Sequence, residues 1–244
     1  MTKTPFSRAT FPTFMFALFL VSLTTGCLTA GCACGGGGGN ADTAASPSEA
    51  TSSETSASES ESETPSAAVA TENVLDSWWS SLEAICGQAF EGRLVSDDEA
   101  DADLAGQSMV MHVRKCEENR LEIPFHIGEN RSRTWVLTRD DDGVHLQHDH
   151  RHEDGTEDEV TLYGGRTDAS QPGTKIAQFF PADDYSKELF TTHGLDVSVA
   201  NTWSMEIVPG ERFSYILRRP NRHFRADFDL GSAVDAPPAP WGHE

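Results

Sequence analysis

Apolar residues recur at helical spacing near residue 74, where Val74, Leu75, Trp78, Trp79, Leu82 and Ile85 fall on one face. That spacing predicts one amphipathic helix over residues 74–85. Beyond Gly87 the period shortens to two, and alternation predicts strands over 90–95, 108–116, 121–127, 133–139, 144–150, 159–166, 176–180, 202–208, 212–218 and 223–229. Turn dipeptides (Asp142-Gly143, Asp154-Gly155, Gly164-Gly165 and Pro209-Gly210) separate several of them. Residues 183–195 read as a short helix inserted among the strands. Short connections favour antiparallel neighbours, and closing the sheet removes exposed edges. The expected fold is mainly β: an antiparallel meander β-barrel of about 8–10 strands, with a β-sandwich as the alternative.

Upstream of residue 74 the pattern is of another kind. Lys3 and Arg8 precede an apolar run from Phe14 to Leu23, far short of the roughly 20 residues a spanning helix needs. The arrangement reads as a signal peptide over 1–26. Leu23-Thr24-Thr25-Gly26-Cys27 then resembles the lipobox of bacterial lipoproteins, which implies a lipidated Cys27, with Cys32 in the repeat Leu28-Thr29-Ala30-Gly31-Cys32 as the alternative. The implied location is the bacterial cell envelope, outside the cytoplasm and held to the membrane by lipid. Plain secretion is the alternative.

Residues 27–73 begin with the glycine run 35–39 and continue as Ala, Ser, Thr and Glu, with seven acids and no base over 40–73. Such a segment buries too little apolar surface to offset its ordering entropy, so a disordered tether is expected. The barrel domain is assigned to 74–230, and 231–244, with Pro237, Pro238 and Pro240, reads as an irregular tail. Its only cysteines, Cys86 and Cys116, predict one disulfide in an oxidising compartment.

Charge narrows the possible partners. The 244 residues carry a net −21, and 74–244 alone hold 32 acids against 16 bases. Such a chain repels phosphates, and nucleic-acid binding is excluded as an expectation. The barrel plan resembles the calycin group, the lipocalins and fatty-acid-binding proteins, and residues 125–152 resemble an uncharacterised family of bacterial secreted proteins. Both resemblances imply a fold and no activity.

The densest polar pattern is His148-Asp149-His150-Arg151-His152. Alternation places His148, His150 and His152 on the face of Val144 and Leu146. A turn at residues 140–143 sets Trp135 opposite His148 and Arg133 opposite His150. A two-residue turn at Asp154-Gly155 sets Glu157 opposite His152, Glu159 opposite His150, Thr161 opposite His148 and Tyr163 opposite Leu146.

Three readings follow. The cluster can be a solvated hairpin end with weak ion pairs. It can be the polar rim of a small-ligand pocket formed by Trp135, Arg133, His148, His150, Tyr163 and Glu159. It can be a site where His148, His150 and His152 ligate Zn or another transition metal, with Glu159 as a further ligand or support. Arg131 and Arg133 are a weaker candidate for anion recognition. No hydrolase, phosphate-loop or EF-hand motif is present, so no catalytic residue is nominated. The expected function is a non-catalytic small-ligand-binding or structural barrel, the alternatives being a metalloprotein and a protein-interaction module.

Overall fold

The computed structural model describes residues 73–243. The leader, the tether, Cys27 and Cys32 lie outside them. The described chain forms helix α1 (Val74–Glu83), strands β1 (Ala89–Leu94), β2 (Met109–His112), β3 (Lys115–Glu117), β4 (Arg120–Ile127), β5 (Asn130–Asp140), β6 (Gly143–His150), β7 (Tyr163–Arg166) and β8 (Ala177–Pro181), helix α2 (Asp184–Thr192), and strands β9 (Thr202–Val208), β10 (Arg212–Arg219) and β11 (Arg222–Val234).

All eleven strands belong to one antiparallel sheet, nearly closed into a barrel, in the order β7-β6-β5-β4-β2-β1-β11-β10-β9-β8, with β3 beside β4. The order is two consecutive meanders joined by the pairing of β1 with β11. The other ends, β7 and β8, meet through a single bridge, Gly165 to Ala182. Here the chain has no room for side chains: a β-carbon on Gly165 would run into the Pro181 carbonyl oxygen. Helix α2 fastens the seam. Asp183 caps its first turn at Ser186 N (2.8 Å) and meets His145 Nε2 (3.0 Å), while Ser186 Oγ donates to Gly164 O (2.9 Å) and accepts from Gly164 N (2.7 Å).

The inward-facing residues form one core. Trp135 stacks on Tyr215 (4.5 Å between ring centroids) and on Phe125 (4.9 Å), and Phe213 and Phe228 pack around it. Fully burying a side chain of this kind contributes about 1.5–3 kcal/mol. Helix α1, capped by Asn73 Oδ1 on Leu75 N (2.9 Å), buries Trp78, Trp79 and Leu82 against this core. Trp78 Nε1 donates to Met205 O of β9 (3.2 Å), so the indole's polar edge is satisfied inside.

The disulfide joins Cys86, just after α1, to Cys116 in β3. Closing 30 residues of chain contributes about 3.5 kcal/mol in the chain-entropy account.

Two expectations are corrected by this architecture. The strand expected over 108–116 is interrupted: Val113 N turns to Gln88 O and Arg114 N to Glu122 O, dividing it into β2 and β3. The strand expected over 159–166 begins only at Tyr163, because Asp158 Oδ1 takes Val160 N, Thr161 Oγ1 takes His150 N and Leu162 has a left-handed backbone (φ 57°).

Candidate functional site

The β5–β6 hairpin has the expected register, with Trp135 opposite His148 and Arg133 opposite His150. The β6–β7 register differs by two residues from expectation. Tyr163 lies opposite His148, and Gly165 opposite Leu146. Glu157 bridges Arg151 rather than lying opposite His152, and residues 158–162 then leave the regular ladder, so Glu159 is exposed; His152 is exposed beyond the end of β6.

The residues brought together are His148, Tyr163, His150, Trp135 and a partner from the far meander, Tyr215. His148 is buried and both its nitrogens are engaged, Nδ1 with Tyr163 O (3.0 Å) and Nε2 with Tyr215 Oη (2.7 Å). A carbonyl can only accept, so Nδ1 carries the proton, and in the neutral ring that burial favours Nε2 accepts from the Tyr215 hydroxyl. Burial holds the His148 pKa down at about 4. Its ring stacks on Tyr163 (4.7 Å) and lies 5.0 Å from Trp203.

The chain of polar contacts continues outward. Tyr163 Oη lies 3.2 Å from His150 Nε2, and His150 is half-buried opposite Arg133. Burial depresses the His150 pKa well below its ordinary value, with Arg133 and His148 adding to the effect. Burial raises Tyr163 to about 12 and Tyr215 well above its usual range, so both hydroxyls keep their protons at neutral pH. Arg133 Nη1 donates to Asn130 Oδ1 (3.1 Å) and Ser132 Oγ (3.2 Å).

As chemistry, this is a neutral hydrogen-bonded relay set in an aromatic core. Tyr215 donates to His148, and His148 donates to the Tyr163 backbone. His148, His150 and His152 do not converge: the first is satisfied within the protein, the second contacts Tyr163 and the third faces solvent. Among the described residues no group of three His, Cys, Asp or Glu side chains is placed to hold a metal ion.

Two clefts lie elsewhere on the surface. One of about 470 Å³ is lined by Ser77, Ser80, Ser81, Lys175 and Pro209. The other, about 620 Å³, runs between the start of α1 and the β5–β6 turn and is rimmed by Asp76, Asp140, Asp141, Asp142 and Asp168. Its acids are partly compensated, since Arg139 pairs with Asp76 and Arg166 with Asp140. Neither cleft includes Trp135, His148, His150 or Tyr163.

Arg131 does not join Arg133. It donates to Ala239 O of the C-terminal tail (2.7 Å). His126 Nε2 and His223 Nε2 are buried without a hydrogen-bond partner among the described residues, and burial with nearby Arg131 and His112 holds His126 at about 4. Sequence reasoning missed Tyr215, which is 67 residues from His148. Its only signal is a polar hydroxyl on the inward face of the strand Phe213-Ser214-Tyr215-Ile216. No protein-family model, curated protein or solved structure matches the chain.

Proposed function

We propose that the protein is a lipid-anchored, extracytoplasmic and non-catalytic interaction module: an acidic barrel carried on a tether, meeting its partners through its outer surface. The observation that supports this most directly is the occupancy of the barrel interior. Trp135, Phe125 and Tyr215 form one mutually packed aromatic cluster, where a lipocalin-like carrier would need space for its ligand. The polar relay through His148 satisfies its own donors and acceptors, as buried networks in a filled core must. A small ligand would have to displace these aromatic contacts before it could bind inside.

Intrinsic tryptophan fluorescence of the full chain, titrated with long-chain fatty acids and with an apolar dye, tests this reading. The expected result is no saturable change. Stoichiometric binding that quenches the interior tryptophans, and is lost in Trp135→Ala while far-UV circular dichroism is retained, would establish a lumenal ligand site and overturn it.

A further inference from the structure

The tail expected to be irregular from residue 231 begins later, because β11 continues to Val234 and pairs Ala233 and Val234 with β1; residues 235–243 have no regular structure, yet they are fixed to the barrel. Residues 235–238, containing Pro237 and Pro238, make no backbone hydrogen bond to the rest of the described chain. Residues 239–243 then lie along β5, β6 and the turn that follows. Ala239 O accepts from Arg131 Nη1 (2.7 Å), Trp241 N donates to Arg131 O (3.1 Å), and His243 Nε2 meets Asp149 Oδ2 (2.8 Å). Pro240 is buried between these contacts.

The receiving surface is built for a close fit. Asp149 is 5% exposed and is also gripped by Arg151 Nε (3.1 Å), whose Nη1 holds Gly155 O (3.2 Å). Gly242 passes over this corner with φ 76°, and a β-carbon there would lie 2.6 Å from Arg151 Cδ and 2.7 Å from Gly155 O. Only glycine meets both the backbone angle and the clearance. Two of the three polar contacts use tail backbone, and the third is a charge-compatible His–Asp pair.

We propose that residues 239–243 are a detachable strap, and that the groove of Arg131, Asp149, Arg151 and Gly155 accepts the same strap from a second copy of the chain. The segment between barrel and strap is four residues long, reaching about 13 Å when extended, and its two prolines stiffen it. Every contact made within one copy is available between two. The short linker gives the intramolecular strap a high effective concentration, so exchange needs copies held close together. An exchanged pair buries the same groups and needs no new surface.

Two differently tagged full-length variants test this. The donor carries Arg131→Ala and Asp149→Ala, leaving its own groove with only the main-chain bond from Trp241 N to residue 131 O. The acceptor carries Gly242→Val, leaving its groove without a fitting strap. Mixed together, donor should be retained on tagged acceptor at about one to one, whereas donor–donor and acceptor–acceptor mixtures should show no retention. Equal retention in all three mixtures, or none in any, with circular dichroism showing folded chains, overturns the proposal. Should the donor fail to fold, a labelled peptide of residues 235–243 replaces it: it should bind the Gly242→Val chain at least tenfold more tightly than wild type. Equal binding, or none to the variant, overturns the proposal too.

Discussion

Acid should unfold this barrel through its interior histidines well before its carboxylates protonate. His148 and His126 each have a folded-state pKa of about 4 against an ordinary 6.5, burial being the main cause in both. Between those values the unfolded chain binds a proton that the folded chain does not. Stability is therefore fully present above about pH 6.5 and declines as pH falls toward 4. Linkage gives a loss of about 1.8 kcal/mol per histidine between pH 7 and pH 5, or about 3.5 kcal/mol for the two. His150, also depressed by burial, acts in the same direction. Against a typical total of about 5–15 kcal/mol, such a loss is large.

The assay is urea denaturation followed by circular dichroism at pH 7, 6 and 5 and constant ionic strength. His148→Phe should reduce the drop by about 1.8 kcal/mol, the share of the one histidine removed. A folding free energy that stays within about 0.5 kcal/mol from pH 7 to pH 5, against the linkage expectation, would refute the placement of neutral imidazoles in the core.

Gly165→Ala should destabilise by about 1–3 kcal/mol through overpacking at the seam, with hydrogen exchange rising first in β7 and β8. An unchanged denaturation midpoint would mean that the two meanders do not abut there. Cys27→Ser should move the protein from the detergent-rich to the aqueous phase in phase partitioning. If it does not and Cys32→Ser does, the second cysteine carries the lipid.

Most strands were legible because each has one face buried, and alternation is the direct trace of that asymmetry. The β5–β6 register was legible as well: a turn at Asp140–Gly143 leaves one way to put Trp135, Leu137, Val144 and Leu146 on the same face. Residues 157–162 show why the next hairpin was not. Val160 and Leu162 alternate with polar residues as a strand would, but side-chain bonds from Asp158 and Thr161 capture the backbone groups a ladder needs. The partners of His148 were hidden for another reason, since Tyr215 and Trp203 arrive from the second meander. Local periodicity reports which way a residue faces, never which distant residue it faces. The docking of Trp241 and His243 on β5 and β6 was likewise beyond any periodic signal.

The junction of β1 with β11 has a bearing on how such a chain comes into being. As the polypeptide is made amino end first, β1 through β7 can zip together early, yet the free side of β1 must wait for β11, which begins only at Arg222. Throughout that interval its open N–H and C=O groups invite any passing extended segment. The newborn chain is thus most vulnerable along its oldest strand, and a chaperone guarding that rim would be needed only until Arg222–Val234 has paired with it.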